Sequence, residues 1–383
     1  RCVQLRGEYF FVAEGKGGFR VYDVASIANK GTSQRILTAP FSPLGHDTHV
    51  ASNNATCMAL PTGQPISTER NDHIVKYYPE NQEQKMGEIY RYAFVTDSVE
   101  GLIVVNVETL ADGEPRNNFL KRTVTWNANN VLAGARHITL GGNYAYITAN
   151  IGLVVVDLTD PKAPKAAGAL MMDGEPTSVA VAGSKVLAAV NTSESYVKPS
   201  GQLRVVDLAT KKIEASCDLG GQPDSVSVSP DKTFAAIAIE NERDEKVNDG
   251  TIPQLPAGDL VLVSLKNGTA DCASIKHVTL TGLADVAGDD PEPEFVAINA
   301  NGEIALTLQE NNTIIIIDGK TGTVKTSFSA GKTAVEGVDT KSDGALTFTG
   351  KVEEQENWLV RTAKRGYAPL LRGALRLRWP VTA

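Results

Sequence analysis

The sequence has no apolar run near the roughly 20 residues that span a bilayer, so no transmembrane segment is expected and the chain reads as soluble. It lacks a surplus of basic residues: 37 Lys and Arg stand against 45 Asp and Glu, for a formal charge of −8. General nucleic-acid binding, which needs clustered cations to displace counterions, is therefore not expected, whereas cations remain open as ligands. Only four cysteines occur, Cys2, Cys57, Cys217 and Cys272, and no pair forms CxxC or CxxCH. That excludes a zinc knuckle and a haem attachment site. There is no Gly-x-Ser-x-Gly elbow and no Gly-rich phosphate loop leading into a helix, so nucleophilic catalysis has little support. Aromatics are scarce at 6%.

What is present is turn chemistry and short apolar strands. With 42% hydrophobic residues, 34 Gly and 18 Pro, the chain is too apolar for disorder and too punctuated for a helical bundle. A unit recurs as paired strands. It reads Tyr9-Phe-Phe-Val-Ala13 with Gly18-Phe-Arg-Val-Tyr-Asp23, then Tyr92-Ala-Phe-Val-Thr96 with Gly101-Leu-Ile-Val-Val-Asn106. The next pairs start at Tyr144 and Gly152, Lys185 and Leu203, Phe234 and Leu260, and Ile304 and Ile314; a partial seventh begins at Glu336 and Ala345. Spacings of about 40–50 residues with about four strands per unit match the blade of a β-propeller. The expected fold is all-β, a single propeller over residues 1–350 with seven four-stranded blades. A long insertion, 41–86, is expected in the first blade, and the ends of the chain are expected to share the last blade, because propellers close to remove edge strands.

The acidic residue that ends the third strand (Asp23, Asp157, Asp207, Asp318) is read as structural, accepting local backbone N–H groups. Residues 351–383 do not read as a blade; they form a basic tail or blade-closing segment, with seven basic and three acidic residues, which leaves −12 on residues 1–350. The start at Arg1 reads as a processed or trimmed piece. Cys217 and Cys272 sit at similar points of successive repeats. Such points lie apart in a radial array, so buried free thiols are expected rather than a bridge.

Two resemblances rest on specific stretches. Gly152-Leu-Val-Val-Val-Asp-Leu-Thr-Asp-Pro161, Leu5-Arg-Gly-Glu-Tyr9, Ala39-Pro-Phe-Ser-Pro-Leu-Gly45 and Asp112-Gly-Glu-Pro-Arg-Asn-Asn-Phe-Leu-Lys121 make residues 1–167 similar to bacterial LVIVD-repeat proteins. The segments starting at Gln222, Ile239, Gln254 and Leu308 make residues 173–350 similar to the propeller of the esterase-like phytase group and its alkaline-phosphatase relatives. Both resemblances imply an extracytoplasmic location, whether periplasmic, cell-surface or secreted. Neither fixes an activity.

Aligning the inner strands places one residue per blade at the channel mouth: Arg1, His137, Thr177, Asp224, Glu294 and Glu336. Loops expected on the same face add Asp97, Glu100, Glu240, Asn241, Glu242, Asp244, Asp289, Asp290, Glu292, Glu310 and Asn311. Carboxylates crowded there repel unless a cation compensates, and oxygen ligands suit Ca²⁺. The expected calcium ligands are Asp224, Glu240, Glu294, Glu310 and Glu336, with solvated acidic loops as the alternative. His46, His49 and His73 lack a fixing element and a fourth ligand, so a transition-metal site on them is not favoured. His137 is read first as a hydrogen-bonded structural residue, and His277 has no supporting neighbours. The leading functional reading is a propeller that presents a small molecule or a protein with a binding face at an acidic mouth. The alternative is a Ca²⁺-dependent phosphoesterase. An electron-transfer accessory ranks third, since no cofactor motif is present.

Overall fold

In the computed structural model, residues 2–7, 9–23, 37–38, 48–61, 88–111, 118–244, 246–331, 335–338 and 350–352 are described. They form antiparallel sheets that follow one another along the chain, each hydrogen-bonded in sequence order. Blade one contains β1 (Val3–Arg6), β2 (Tyr9–Ala13) and β3 (Phe19–Asp23), with β4 (Leu37–Thr38) and β5 (His49–Val50) both paired to β3. Blade two runs β6 (Ala55–Ala59), β7 (Tyr92–Asp97), β8 (Gly101–Asn106) and β9 (Lys121–Trp126). Blade three is β10 (Ile138–Gly141) through β11 (Tyr144–Ala149) and β12 (Gly152–Asp157) to β13 (Lys165–Leu170). Blade four is β14 (Glu175–Ala182), β15 (Lys185–Asn191), β16 (Gly201–Asp207) and β17 (Lys212–Asp218).

Blade five has β18 (Pro223–Val228), β19 (Phe234–Ile239) and β20 (Asp259–Lys266), followed by β21 (Thr269–Ala270) and β22 (Lys276–Thr279), which share the outer position on β20. Blade six is β23 (Pro293–Ile298), β24 (Glu303–Leu308), β25 (Thr313–Asp318) and β26 (Thr323–Ser329). Among the described residues the fold is therefore an all-β propeller of six four-stranded blades, and the expectation of seven is overturned. At the seventh repeat, β27 (Val335–Val338) pairs directly with β28 (Gly350–Val352) in a two-stranded sheet. The strand expected at 345–349 and the tail beyond Val352 lie outside the described residues.

Strand chemistry follows position in the blade. Second strands are apolar on both faces because a neighbouring blade covers each: every residue of β7 and of β19 is buried. Outer strands such as β17 and β26 alternate exposed polar residues with half-buried ones, and their Lys and Glu residues protect an open edge. The core lies between blades rather than within any one of them. One apolar cluster spans blades one to three, and three more fill the spaces between blades three and four, four and five, and five and six.

The recurrent Gly-Leu at the start of third strands has a steric cause. Gly152 sits at φ +122°, where a Cβ would lie 2.2 Å from the Leu170 carbonyl oxygen on the next strand. The acids that end third strands act as expected. Asp157 accepts from the Thr159 N–H at 2.8 Å, Asp207 from Thr210 at 2.7 Å and Asp318 from Thr321 at 2.9 Å. Blade two uses Asn106 in the same way, on Glu108 at 2.9 Å. The side chain of Asp23 lies outside the described residues.

The expectation of free thiols is overturned twice. Cys2 is bonded to Cys57 on β6, joining the inner edges of blades one and two, and Cys217 is bonded to Cys272. The error over Cys272 was one of phase. It does not occupy a strand equivalent to β17 but lies in the short helical turn Cys272–Ser274 between β21 and β22. That turn leans on the outer strand of the preceding blade, where Cys217 sits.

Candidate functional site at the channel mouth

The innermost strands β1, β6, β10, β14, β18 and β23 neighbour one another in chain order, and four of them carry a bulge at the same end. The register skips Thr56 in β6, Thr177 in β14, Asp224 in β18 and the pair Glu294–Phe295 in β23. An extra residue turns its side chain out of the ladder, which is how bulges re-aim groups near sites. A proline opens three of these strands (Pro176 one residue inside β14, Pro223, Pro293), where strand geometry tolerates a missing N–H. The Pro-x-x-Val repeat at Pro176, Pro223 and Pro293 is thus the sequence signal of the mouth.

Beside each bulge, a side chain is bonded to the next blade. The Val179 N–H donates to His137 Nδ1 at 3.2 Å, the Val226 N–H to Ser178 Oγ at 3.1 Å, and the Val296 N–H to Ser225 Oγ at 3.0 Å. Thr177 Oγ1 donates to the Pro223 carbonyl at 2.9 Å, and Thr56 Oγ1 to Ala135 at 2.8 Å. The second strand locks the first from behind: the His137 N–H donates to Thr148 Oγ1 at 3.0 Å, and the Phe295 N–H to Thr307 Oγ1 at 3.1 Å. Thr148 is fully buried. Thr148→Val keeps its shape but strands the His137 N–H, and is expected to cost about 1–3 kcal/mol in urea denaturation.

These strands enclose a cavity of about 520 Å³, lined among others by His137, Thr177, Asp224, Glu240, Glu242 and Arg136. Three of the six residues aligned from sequence, His137, Thr177 and Asp224, meet there. Glu294 is coupled electrostatically to Asp224, Glu240 and Glu310. Arg1 and the side chain of Glu336 lie outside the described residues; Glu336 itself is on β27, opposite Lys351.

The carboxyl groups are held against ionisation. Burial pushes Glu240 up to about 8, reinforced by the charges of Asp224 and Glu242. Asp224 rises to about 6, again by burial first, with Glu242 and Glu310 adding to it. Glu294 is pushed well above the usual range by burial and by a hydrogen bond shared with Glu310. Every influence on Glu240 raises it, whereas the chain's N-terminal charge partly offsets the rise at Asp224; both groups face one space.

The other acids expected at the mouth serve the loops. Asp97 accepts from the Val99, Glu100 and Asn54 N–H groups at 2.6–2.8 Å; burial pushes it up, but these donors prevail and hold it below the usual range. Glu100 pairs with Arg122. Arg243 pairs with Asp290 at 3.0 Å and Glu292 at 2.8 Å. Asn241 and Asn311 each receive an N–H at 2.9 Å and donate to loop carbonyls. Asp244 caps the Lys246 N–H, and Asp289 is exposed. The loops above the cavity are therefore a bonded platform that leaves Asp224, Glu240, Glu294 and Glu310 over.

Among the described residues, the set of potential ligand atoms mutually within 4.8 Å is Cys2, Cys57 and His137. It is unsuited to a metal: the sulfurs are joined, and His137 Nδ1 accepts a backbone N–H, which places the ring proton on Nε2. Burial also lowers the pKa of His137 to about 4, which keeps it neutral. His137 is thus hydrogen-bonded to the backbone of the next blade. His49 donates to the Gly17 carbonyl at 2.6 Å, while His46 and His73 lie outside the described residues. His277 is not isolated: its Nδ1 meets Asp259 at 2.6 Å on the outer edge of blade five.

The fold and mouth define a β-propeller protein with an acidic channel entrance. The choice-of-anchor I domain matches residues 138–350, more than half the chain, and the protein belongs to that family. The match crosses the boundary at 167–173 between the two resemblances read from sequence, and it names neither the LVIVD-repeat nor the phytase-like group. No curated protein matches. Among solved structures, the chain is similar to the Myceliophteria thermophila Cps50 (Swd1) β-propeller domain at 14% identity and TM-score 0.46, with 86% of each chain covered. It is also similar to the computationally designed Ika8 protein at 11% identity and TM-score 0.47, covering 92% of this chain and 82% of that one. A third is Kuenenia stuttgartiensis hydrazine synthase, at 11% identity and TM-score 0.46, covering 82% and 74%.

Proposed function

We propose that this is a cell-surface or extracellular propeller whose mouth binds a cation, with Ca²⁺ the ion that its oxygen donors suit best. The observation that carries the reading is the group Asp224, Glu240, Glu294 and Glu310, whose charges oppose one another and of which Asp224 and Glu240 line the cavity. Glu336, whose backbone is on β27 and whose side chain lies outside the described residues, is the fifth ligand expected from sequence. Two disulfides fit an oxidising compartment, and the choice-of-anchor description fits a surface protein. A bound cation would in turn offer a charged point for a small-molecule or protein ligand on that face.

The phosphoesterase alternative has less behind it. A phosphate needs a free basic group beside the metal. The lining arginine, Arg136, is already engaged by Glu175, the Gly134 carbonyl and Asn150.

Thermal melts in Ca²⁺ and in EDTA test the proposal. At about 100 times its dissociation constant, Ca²⁺ is expected to stabilise the protein by about 2.7 kcal/mol. The shift should disappear in the Glu240→Gln/Glu294→Gln double variant. Equal melting temperatures in Ca²⁺ and EDTA would sink the reading.

A further inference from the structure

A second cavity, of about 570 Å³, lies where blade three hands over to blade four. Its walls include Asp173, Glu175, Asn191, Gln202 and Arg204. Gln202 and Arg204 are two apart on β16 and share the face turned towards blade three, while Leu203 and Val205 face the core shared with blade five. Its volume falls within the range of small-molecule sites.

Arg204 is the anomaly. Its Nε is buried and has no hydrogen-bond partner among the described residues. A buried guanidinium N–H left unpaired is costly and calls for an explanation.

The surrounding groups point to one kind of ligand. Asn191 Oδ1 accepts from the Ser193 N–H at 2.9 Å, and Gln202 Oε1 accepts from Ser216 Oγ at 2.6 Å. With both oxygens taken, each amide has its NH₂ to offer, so Arg204 stands among further donors. The hydroxyls of Thr192 and Ser193 are already engaged with Ser200, at 2.8 and 3.2 Å, which leaves little for a polyhydroxy ligand. Glu175 pairs with Arg136, whereas Asp173 is exposed and carries no ion pair among the described residues. The two carboxylates oppose a bare phosphate dianion.

We infer that this cavity binds a small zwitterion, an amino acid or short peptide, with its carboxylate on the Arg204 fork and its ammonium towards Asp173. A planar guanidinium takes a carboxylate through two parallel N–H···O bonds, which a lysine does not reproduce.

Calorimetric titration of the whole chain with glycylglycine tests this, with glycylglycine amide, N-acetylglycylglycine and D-glucuronate as comparison probes. Glycylglycine is expected to bind, and the amide, which lacks the carboxylate, at least tenfold more weakly. Arg204→Gln should lose at least tenfold in affinity and Arg204→Lys should recover only part of it. Asp173→Asn should weaken glycylglycine and leave N-acetylglycylglycine unchanged. Unaltered Ca²⁺ response in Arg204→Gln would show that the variant is folded and that this site is separate from the mouth. Equal glycylglycine affinity in the wild type and Arg204→Gln overturns the inference, as does no response to any probe. Binding of glucuronate without glycylglycine overturns it in favour of an acidic sugar.

Discussion

Replacing Cys217 and Cys272 together by serine is expected to lower stability by about 4 kcal/mol, from the loop-closure entropy of a bridge spanning 55 residues. The bridge ties the outer edge of blade four to a turn of blade five. Its loss therefore frees the unfolded chain and also loosens one blade from the next. Cys217 is buried and Cys272 exposed, so most of any added packing cost falls at position 217. Urea denaturation of the oxidised wild type and the double variant measures the difference. The Cys2–Cys57 bridge spans an equal 55 residues, and the same entropy is expected there. A change below about 1 kcal/mol at Cys217–Cys272 would show that the bridge does not restrain the unfolded chain.

Without Ca²⁺, stability is expected to fall as pH rises from about 5 to 8, the reverse of the usual behaviour of paired carboxylates. The folded chain holds the Glu240 proton up to about pH 8, and holds that of Glu294 well above the usual range. The unfolded chain releases both near 4.5. Between those limits the folded state binds more protons, so each rise in pH favours unfolding, by up to about 1.4 kcal/mol per pH unit for each fully differing proton. Partial exposure of the cavity to water reduces this. Glu240→Gln/Glu294→Gln removes the titration, so the variant should melt higher than the wild type at pH 8, by about 1–2 kcal/mol, and alike at pH 5. Asp97, Asp157 and Asp318 act at the other end: each is held below the usual range, and its stabilising share is lost as pH falls through the acid region. Melting curves at pH 5 and pH 8 decide the matter.

The propeller was legible because apolar strand pairs recur at blade spacing, and the mouth was legible because the residue before each inner-strand Val repeats as Thr-Ser, Asp-Ser and Glu-Phe. Blade number was less so. The repeat at Glu336 has the pattern of a blade, but pairing is what defines one, and among the described residues β27 pairs with β28 alone. Acid content could not be sorted from sequence either. Asp290 and Glu292 resemble Glu240 and Glu294 in a string of letters, yet Arg243, brought in from another loop, engages the first two only. Arg204 was invisible for the converse reason. An arginine on a strand usually finds a partner, and the lack of one for Arg204 Nε among the described residues is a fact of three dimensions. Cys272 was misjudged because a turn, not a strand, carries it across to the neighbouring blade.

The central claim, that the mouth is a cation site built from carboxyl groups kept protonated without one, is tested most directly by Ca²⁺ titration calorimetry at pH 7 in buffers of different ionisation enthalpy. Binding at Glu240 and Glu294 must displace their protons, so the account predicts saturable heat with release of about two protons per ion. It also predicts affinity that increases towards pH 8. Binding without proton release, or no binding at millimolar Ca²⁺, would contradict it.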